Sequence, residues 1–166
     1  MIHVDETDRT LLHLLEENSQ TPVQDIAVML NIPLPEVEER IRRLEKARII
    51  RKYTTIIDWE RGGDGEVAAI IDLKVSPERN FGYDKIAERI ARFRQVRSLH
   101  LVTGVYDLQL VVTGRSMHEV ARFVAEEIAP MEQIRETATH MIMKTFKENG
   151  LLFFEKESGE RLPFSL

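Results

Sequence analysis

The chain contains no cysteine among its 166 residues. This absence excludes disulfides, thiol nucleophiles and zinc sites of the cysteine type. No apolar run approaches the roughly 18 residues that a membrane-spanning helix requires. The first six residues, Met-Ile-His-Val-Asp-Glu, are acidic where a secretory signal is basic. A cytoplasmic protein without a membrane segment is therefore expected.

Patterns that support catalysis or cofactor binding are also missing. The glycine-rich stretch 58–66 has neither the Gly-Lys-Ser/Thr nor the G-x-G-x-x-G arrangement that holds phosphates. The five histidines, at positions 3, 13, 100, 118 and 140, lack the spacing of metal ligands. The sequence thus predicts no catalytic residue, no metal site and no cofactor, and a protein that is not an enzyme.

Near the N-terminus, three segments have the pattern of a DNA-binding helical domain. The predicted helices are Asp5–Asn18, Val23–Leu30 and Pro35 to about Ala47. Asp5 or Thr7 is available to cap the first helix. Pro35 occupies a first-turn position where its missing N–H is not needed. The short turn between the second and third helices completes a predicted helix-turn-helix domain over residues 1–50.

A basic cluster covers the end of the third helix. Seven basic side chains and one acidic side chain lie between Arg40 and Lys52. On a helical wheel, Val37, Ile41 and Leu44 form the stripe that faces the core. The side chains predicted opposite that stripe are Glu36, Glu39, Arg43 and Lys46, with Arg42 on the flank.

An exposed helix that carries arginine and lysine fits the major groove, where arginine matches guanine and both residues match phosphate. The predicted DNA contacts are Arg40, Arg42, Arg43, Lys46, Arg48 and Lys52. The alternative is a solvated helix with ion pairs such as Glu39 with Arg43. Residues 1–60 hold 12 acidic and 8 basic side chains, so binding by one copy should be weak. Affinity is expected from several copies together.

A hinge separates this domain from a second one. Ile50–Ile57 is rich in β-branched residues and predicts a strand, and glycines dominate the linker after it. The predicted organisation is a helix-turn-helix domain at 1–50, a hinge strand and linker at 51–66, a regulatory domain at 67–154 and a tail at 155–166.

The second domain alternates strands and helices in the order βαββαβ. The predicted elements are Val67–Ser76, Tyr83–Phe93, Val96–Thr103, Tyr106–Thr113, Ser116–Ala129 and Ile134–Phe146, with a tight turn at Gly104-Val105. This order predicts an α+β, ferredoxin-like fold in which both helices cover one face of an antiparallel sheet.

The first strand of this domain is apolar on both of its sides. Ala68 and Ile70 alternate with Ala69 and Ile71, a pattern expected when both faces of a sheet are covered. A second copy packed sheet to sheet is the predicted cover, to which the apolar residues 151–154 could add. Cover by the tail or by the helical domain is the alternative.

Together these residues resemble the Lrp/AsnC, or feast/famine, family of transcription regulators, over roughly residues 4–154. Val4-Asp-Glu-Thr-Asp-Arg-Thr-Leu-Leu12 is similar to the family's first helix, and Glu39-Arg-Ile-Arg-Arg-Leu-Glu45 to its recognition helix. Ile49-Ile-Arg-Lys-Tyr53 resembles the exit into the hinge. His100-Leu-Val-Thr-Gly-Val-Tyr-Asp107 resembles the hairpin of the ligand domain, and Thr137-Ala-Thr139 the start of its last strand.

The resemblance implies a DNA-binding regulator that dimerises by its sheet and assembles further, for example to octamers. Small effectors, commonly amino acids, are then expected where dimers meet. The effector-binding positions that the resemblance implies are Thr103, Gly104, Tyr106, Asp107, Met117, Thr139 and His140. Turn N–H groups would hold a carboxylate and Asp107 an ammonium. Alternatively, Gly104 supplies only the turn conformation and Asp107 caps the hairpin.

Two other functions are weighed beside this one. Glu36, Glu38 and Glu39 repel phosphate, which suggests a metabolite sensor or assembly partner that does not bind DNA. A relative of the haem-pathway decarboxylases would need histidine and arginine just after the helical domain, where this chain has Tyr53-Thr-Thr-Ile-Ile57.

Overall fold

The computed structural model describes residues 2–63, 65–77 and 82–153, apart from the side chain of residue 60. It divides the chain into two compact units, residues 1–56 and 57–166. Each unit has its own hydrophobic core. The predicted tail at 155–166 lies outside the described residues. Among the residues that are described, no helix combines the length and apolar character needed to cross a bilayer.

Three helices form the first unit: α1 (Glu6–Glu17), α2 (Val23–Leu30) and α3 (Leu34–Lys46). The predicted helices are confirmed to within one residue at each end. Asn31, with φ of +52°, ends α2 in the left-handed conformation, and its N–H is donated back to the last turn. The predicted core stripe of α3 is confirmed, since Val37 and Leu44 are fully buried and Ile41 packs against them.

The start of α1 is held by two aspartates that cap each other's backbone. Asp5 accepts a hydrogen bond from the N–H of Asp8 at 2.7 Å, and Asp8 accepts one from the N–H of Asp5 at 3.1 Å. This reciprocal capping box satisfies two N–H groups that a helix start otherwise leaves unpaired. Asp5 is therefore the cap, and Thr7 lies inside the helix.

The same two aspartates bind the basic flank of α3. Arg40 donates to Asp5 at 2.7 Å, to Asp8 at 2.9 Å and to Glu36 at 2.8 Å, while Arg43 donates to Asp8 at 2.5 Å. The Asp8 side chain is fully buried and that of Arg40 is 18% exposed. We call Asp5, Asp8, Glu36, Arg40 and Arg43 the Asp8 ion-pair network. It fixes which side of α3 faces α1.

The network shifts the pKa values of its members. The Arg40 guanidinium, with the Asp8 N–H, lowers the pKa of Asp5 from 3.8 to about 2. Burial alone raises the pKa of Asp8, but hydrogen bonds from Arg40, the Asp5 N–H and Arg43 outweigh burial, and the net pKa shift is downward. The three carboxylates raise the pKa of Arg40.

The second unit is a four-stranded antiparallel sheet with helices packed on one face, which confirms the predicted α+β fold. Its elements are α4 (Trp59–Gly62), β1 (Val67–Val75), α5 (Asp84–Ala91), β2 (Val96–Leu101), β3 (Leu108–Gly114), α6 (Met117–Phe123), a π-helical turn (Val124–Ile128) and β4 (Ile134–Met141). The strand order is β2-β3-β1-β4. The core lies between the sheet and the helices, where Ile71, Leu73, Ile90 and Leu110 are fully buried.

Three predicted segments in this part of the chain differ from the structure by more than two residues, and the other boundaries agree to within two. The hinge 51–58 forms no strand, because β-branched residues make a strand only when a neighbour completes the hydrogen-bonded ladder. The linker contains the helical turn α4, capped by Asp58. The last strand ends at Met141, and a small hairpin follows, made of β5 (Lys147–Glu148) and β6 (Leu151–Leu152) around Asn149 and Gly150, both with positive φ.

The second face of the sheet is apolar at its centre and polar beside it. Ala68, Ile70 and Val111 are half-buried there. Next to them Asp72 accepts a hydrogen bond from the Gln109 side chain at 2.9 Å, and His140 lies 3.4 Å from the Asp72 carboxylate. The alternation on β1 is thus confirmed, with the fully buried residues on the helix side.

Replacing Asp8 by asparagine should destabilise the first unit. The change leaves two guanidinium groups beside a neutral amide, and Arg43 Nε is already buried without a partner. Because Arg40 and Arg43 keep some exposure, we expect a loss of about 2–3 kcal/mol, below the range for a fully buried pair. Native-state hydrogen exchange of the α1 and α3 amides measures this unit separately from the other.

The matched control is Glu6→Gln, which removes an exposed carboxylate that pairs with Arg9 at 3.1 Å. Its effect should stay below about 0.5 kcal/mol. Equal exchange rates in the two variants would show that the network does not stabilise the unit.

The first unit should also lose stability in acid. Asp5 and Asp8 have lower pKa values when folded than when unfolded, so their stabilisation is complete above about pH 4 and disappears as the pH falls toward 2. Exchange of the α1 and α3 amides, measured from pH 5 to pH 2, should accelerate beyond its intrinsic pH dependence. In Asp8→Asn this additional acceleration should be smaller, and an unchanged acid response in that variant would contradict the assignment.

Candidate functional site

The outer surface of α3 is the candidate nucleic-acid interface. At 100° per residue, the line farthest from the buried stripe carries Pro35, Glu39, Arg42 and Lys46, all exposed. The side chains of Glu39 and Arg42 are 70% and 65% exposed. This outer line is free of the packing that holds the rest of the helix, so it can enter a groove.

The predicted position of Glu36 and Arg43 opposite the core is wrong. Both lie on the flank that faces α1, because the buried carboxylate of Asp8 draws Arg43 toward it and Arg40 holds Glu36. The predicted ion pair of Glu39 with Arg43 is replaced by contacts of Glu39 with Arg42 at 3.6 Å.

The six predicted DNA contacts therefore separate into two groups. Arg42, Lys46, Arg48 and Lys52 are exposed. Arg40 and Arg43 do not face outward with them, because the Asp8 ion-pair network engages both side chains. These two side chains hold α3 against the start of α1.

The chain turns sharply after α3 within the basic cluster. Arg48 has φ of +57°, and the N–H groups of Ile49 and Ile50 both donate to the carbonyl of Leu44. The Glu45 carboxylate, the one acid in the cluster, accepts a hydrogen bond from the Tyr53 hydroxyl at 3.0 Å. Burial and this carboxylate raise the pKa of Tyr53. Sequence reasoning missed the contact, because a spacing of eight residues across a turn carries no signal of its own.

The hairpin between β2 and β3 contains four of the predicted effector residues. Thr103 and Gly104 are exposed. Gly104 has φ of +137°, and an added Cβ would meet no atom within 4 Å. Glycine is thus required by the backbone conformation and not by lack of space.

Asp107 is tied into the structure of its own domain. Its carboxylate accepts hydrogen bonds from the Val75 N–H at 2.8 Å and the Tyr83 hydroxyl at 3.0 Å. Its own N–H donates to Leu73 at 2.9 Å. Both carboxylate oxygens are therefore engaged within the chain, and this agrees better with the structural alternative than with binding an ammonium. The hydrogen bond with Asp107 raises the pKa of Tyr83.

Tyr106 connects the hairpin to the far strand. Its hydroxyl donates to Glu136 of β4 at 3.2 Å. Burial, followed by the charge of Glu136, raises the pKa of this tyrosine.

The remaining predicted effector residues do not converge with the hairpin within one chain. Met117 follows the opposite end of β3, and six residue steps along that strand span about 20 Å. Thr139 and His140 are consecutive on β4 and pair with Ile71 and Ile70, so their side chains point to opposite faces of the sheet. The seven residues cannot line one pocket of a single copy.

No metal site is indicated in the described part of the chain, where no three histidine, aspartate or glutamate side chains lie close enough to hold an ion.

Comparison with known proteins identifies both domains. The model of the AsnC-type helix-turn-helix domain matches residues 4–45, and that of the Lrp/AsnC ligand binding domain matches residues 68–152. YugG of Bacillus subtilis strain 168, named an HTH-type transcriptional regulator, is 41% identical over 161 residues, covering 96% of this chain and 97% of YugG.

Solved structures share the fold. The crystal structure of PH0061 matches with a TM-score of 0.76 at 24% identity, covering 89% of this chain and 98% of that one. The regulator NMB0573 of Neisseria meningitidis, solved as a complex with L-Met, matches with a TM-score of 0.70 at 20% identity, covering 88% and 94%. The two domain matches and the close bacterial relative show that this chain belongs to the Lrp/AsnC family of helix-turn-helix transcriptional regulators.

Proposed function

We propose that this regulator binds duplex DNA with the outer line of α3 in the major groove, using Arg42 and Lys46. Arg48 and Lys52 contact the phosphates beside the groove. The observation that carries the proposal is the division of α3 into a flank closed by Asp8 and an exposed line that bears cations. A reading helix with a rigid inner side and a free outer side is the geometry that helix-turn-helix proteins use.

Specific binding requires more than one copy. The excess of acidic residues in residues 1–60 repels DNA at long range. Salt screens this repulsion beyond about 8–10 Å, so the local basic cluster can still bind phosphate. Two reading helices held at a set spacing multiply their affinities. A homodimer formed through the second face of the sheet, around Ile70 and Val111, supplies this arrangement, and dimers assemble to larger oligomers such as octamers.

The effector is a small molecule, and an amino acid is the proposed class. The family model of residues 68–152 is a ligand binding domain, and the related NMB0573 was solved with L-Met. The Thr103-Gly104 turn is exposed, and backbone N–H groups of a turn suit a carboxylate. Because the seven predicted positions are separated within one chain, the site is completed by a neighbouring copy.

Regulation then follows from linkage. An effector that binds one assembly better than another favours that assembly, and the assembly sets the spacing of the reading helices and so the DNA sites that can be spanned. The protein acts where the DNA is, in the cytoplasm.

One observation favours a second candidate, a sensor that does not bind DNA. Glu38 and Glu39 lie on or beside the outer line of α3 with their side chains 51% and 70% exposed. Glu36 no longer supports this alternative, since Arg40 neutralises it. The salt dependence of DNA binding separates the two functions.

The double variant Arg48→Gln/Lys52→Gln, which removes the two proposed phosphate contacts, should weaken binding to all DNA sequences to a similar degree. Each lost phosphate contact lowers the slope of log K against log salt concentration by about one per copy. Fluorescence anisotropy on the protein's own upstream region, measured from 50 to 200 mM salt, gives the slope. The control is Arg92→Gln at the C-terminal cap of α5, an arginine whose side chain is 77% exposed, and it should keep the wild-type slope. Equal slopes for all three proteins would favour the sensor.

Gly104→Ala should reduce the response to the effector. The molar mass of the wild-type protein, measured by light scattering with each of the common amino acids, should change with at least one of them. The matched control is Gly63→Ala, because Gly63 also has positive φ (+82°) and open space around its Cα. The control should respond as the wild type does. A molar mass and DNA affinity that no amino acid changes would contradict the effector proposal.

A further inference from the structure

The outer line of α3 contains a carboxylate where a DNA-binding helix meets a polyanion. Glu39 lies on this line between Pro35 and Arg42, and Glu38 lies beside it. A glutamate at this position weakens contact with phosphate through charge repulsion. It is compatible with DNA only where it faces a hydrogen-bond donor.

Neither glutamate carboxylate is hydrogen-bonded to the side chain of Arg42. The Arg42 guanidinium lies 3.6 Å from the carboxylate of Glu39 and 3.9 Å from that of Glu38. These separations exceed hydrogen-bonding distance. The hydrogen bond that Arg42 makes goes instead to the backbone carbonyl of Glu38, at 3.3 Å. Arg42 thus stands between two carboxylates that keep their acceptor capacity.

The rest of the helix differs from this arrangement. Glu36 is one turn earlier and accepts two hydrogen bonds from Arg40, at 2.9 and 2.8 Å. Arg40 and Arg43 are committed to Asp8. The groups of α3 that remain for direct base contact are those of the outer line.

The major groove presents few donors to a carboxylate. The exocyclic amino group of cytosine is the donor that pairs with glutamate, whereas adenine is matched by the amide of asparagine or glutamine. Guanine presents two acceptors that suit an arginine. An adjacent glutamate and arginine therefore match the cytosine and guanine edges of C·G pairs.

We propose that Glu39 and Arg42 are a sequence-reading pair, in which the Glu39 carboxylate accepts a hydrogen bond from a cytosine amino group and Arg42 donates to guanine. The inference rests on the proposed DNA-binding function and deepens it. Glu39 lowers affinity for DNA in general and restores it at sites with cytosine in the matching position, so its effect is selectivity.

The test is selection of binding sites from a randomised duplex library with the full-length wild-type protein and with Glu39→Gln. The wild type should enrich cytosine at one position of each half-site. Because glutamine matches adenine, Glu39→Gln should exchange this preference for adenine at that position, by about tenfold, and leave the other positions unchanged. Glutamine is nearly isosteric with glutamate, and the position is exposed, so folding should be preserved; circular dichroism checks this.

The matched control is Glu88→Gln on α5. Its side chain is 69% exposed and pairs with Arg92 one turn later, so it is an exposed helical glutamate beside an arginine in the other domain. This variant should select the wild-type sequence. Arg42→Ala, tested in parallel, should lose the preference for guanine and keep that for cytosine.

Three outcomes decide the matter. A move from cytosine to adenine in Glu39→Gln alone supports the inference. If Glu39→Gln instead strengthens binding to every sequence equally, the glutamate acts only by repulsion, and the inference is wrong while the DNA-binding function stands. If the wild type enriches no sequence at all, the DNA-binding function fails, and the reading pair fails with it.

Discussion

The buried carboxylate of Asp8 is the constraint on which the DNA-binding unit depends. A charged group in this position is tolerated because Arg40, Arg43 and a backbone N–H all donate to it. These ion pairs stabilise the unit and also fix the orientation of α3. With two arginines held against α1, α3 cannot rotate about its axis. The outer line of α3 is thereby presented to solvent. The same ion pairs engage Arg40 and Arg43, so these two cations are not available to DNA.

The acidic character of the chain is compatible with its DNA-binding role because charge acts over a short range. Long-range charge contributes little beyond a Debye length, so what matters is which side chains reach the groove. On α3 the proposed ones are a glutamate, an arginine and a lysine. Such a surface offers modest affinity and strong discrimination, and the proposed oligomer supplies the missing affinity through several weak contacts.

The two faces of the sheet in the second unit have different roles. One face of the sheet packs α5 and α6 and forms the core, and the other retains half-buried apolar residues suited to a second copy. Asp107 fixes the hairpin to the end of β1 through Val75 and to the start of α5 through Tyr83. The turn at Gly104 is therefore exposed but held in place, which suits the proposed effector site.

By itself the sequence determined the three helices, the βαββαβ order and the buried stripe of α3, because periodicity and capping are local. Only the tertiary structure decided that Arg40 and Arg43 face inward, since a wheel gives angles but not the neighbour that occupies a flank. It also decided that Asp107 is occupied and that Met117 lies far from the hairpin, because these facts depend on contacts between distant parts of the chain. The hinge strand was predicted wrongly for a related reason. β-branched residues favour an extended conformation, but a strand forms only where a neighbouring strand completes its hydrogen bonds.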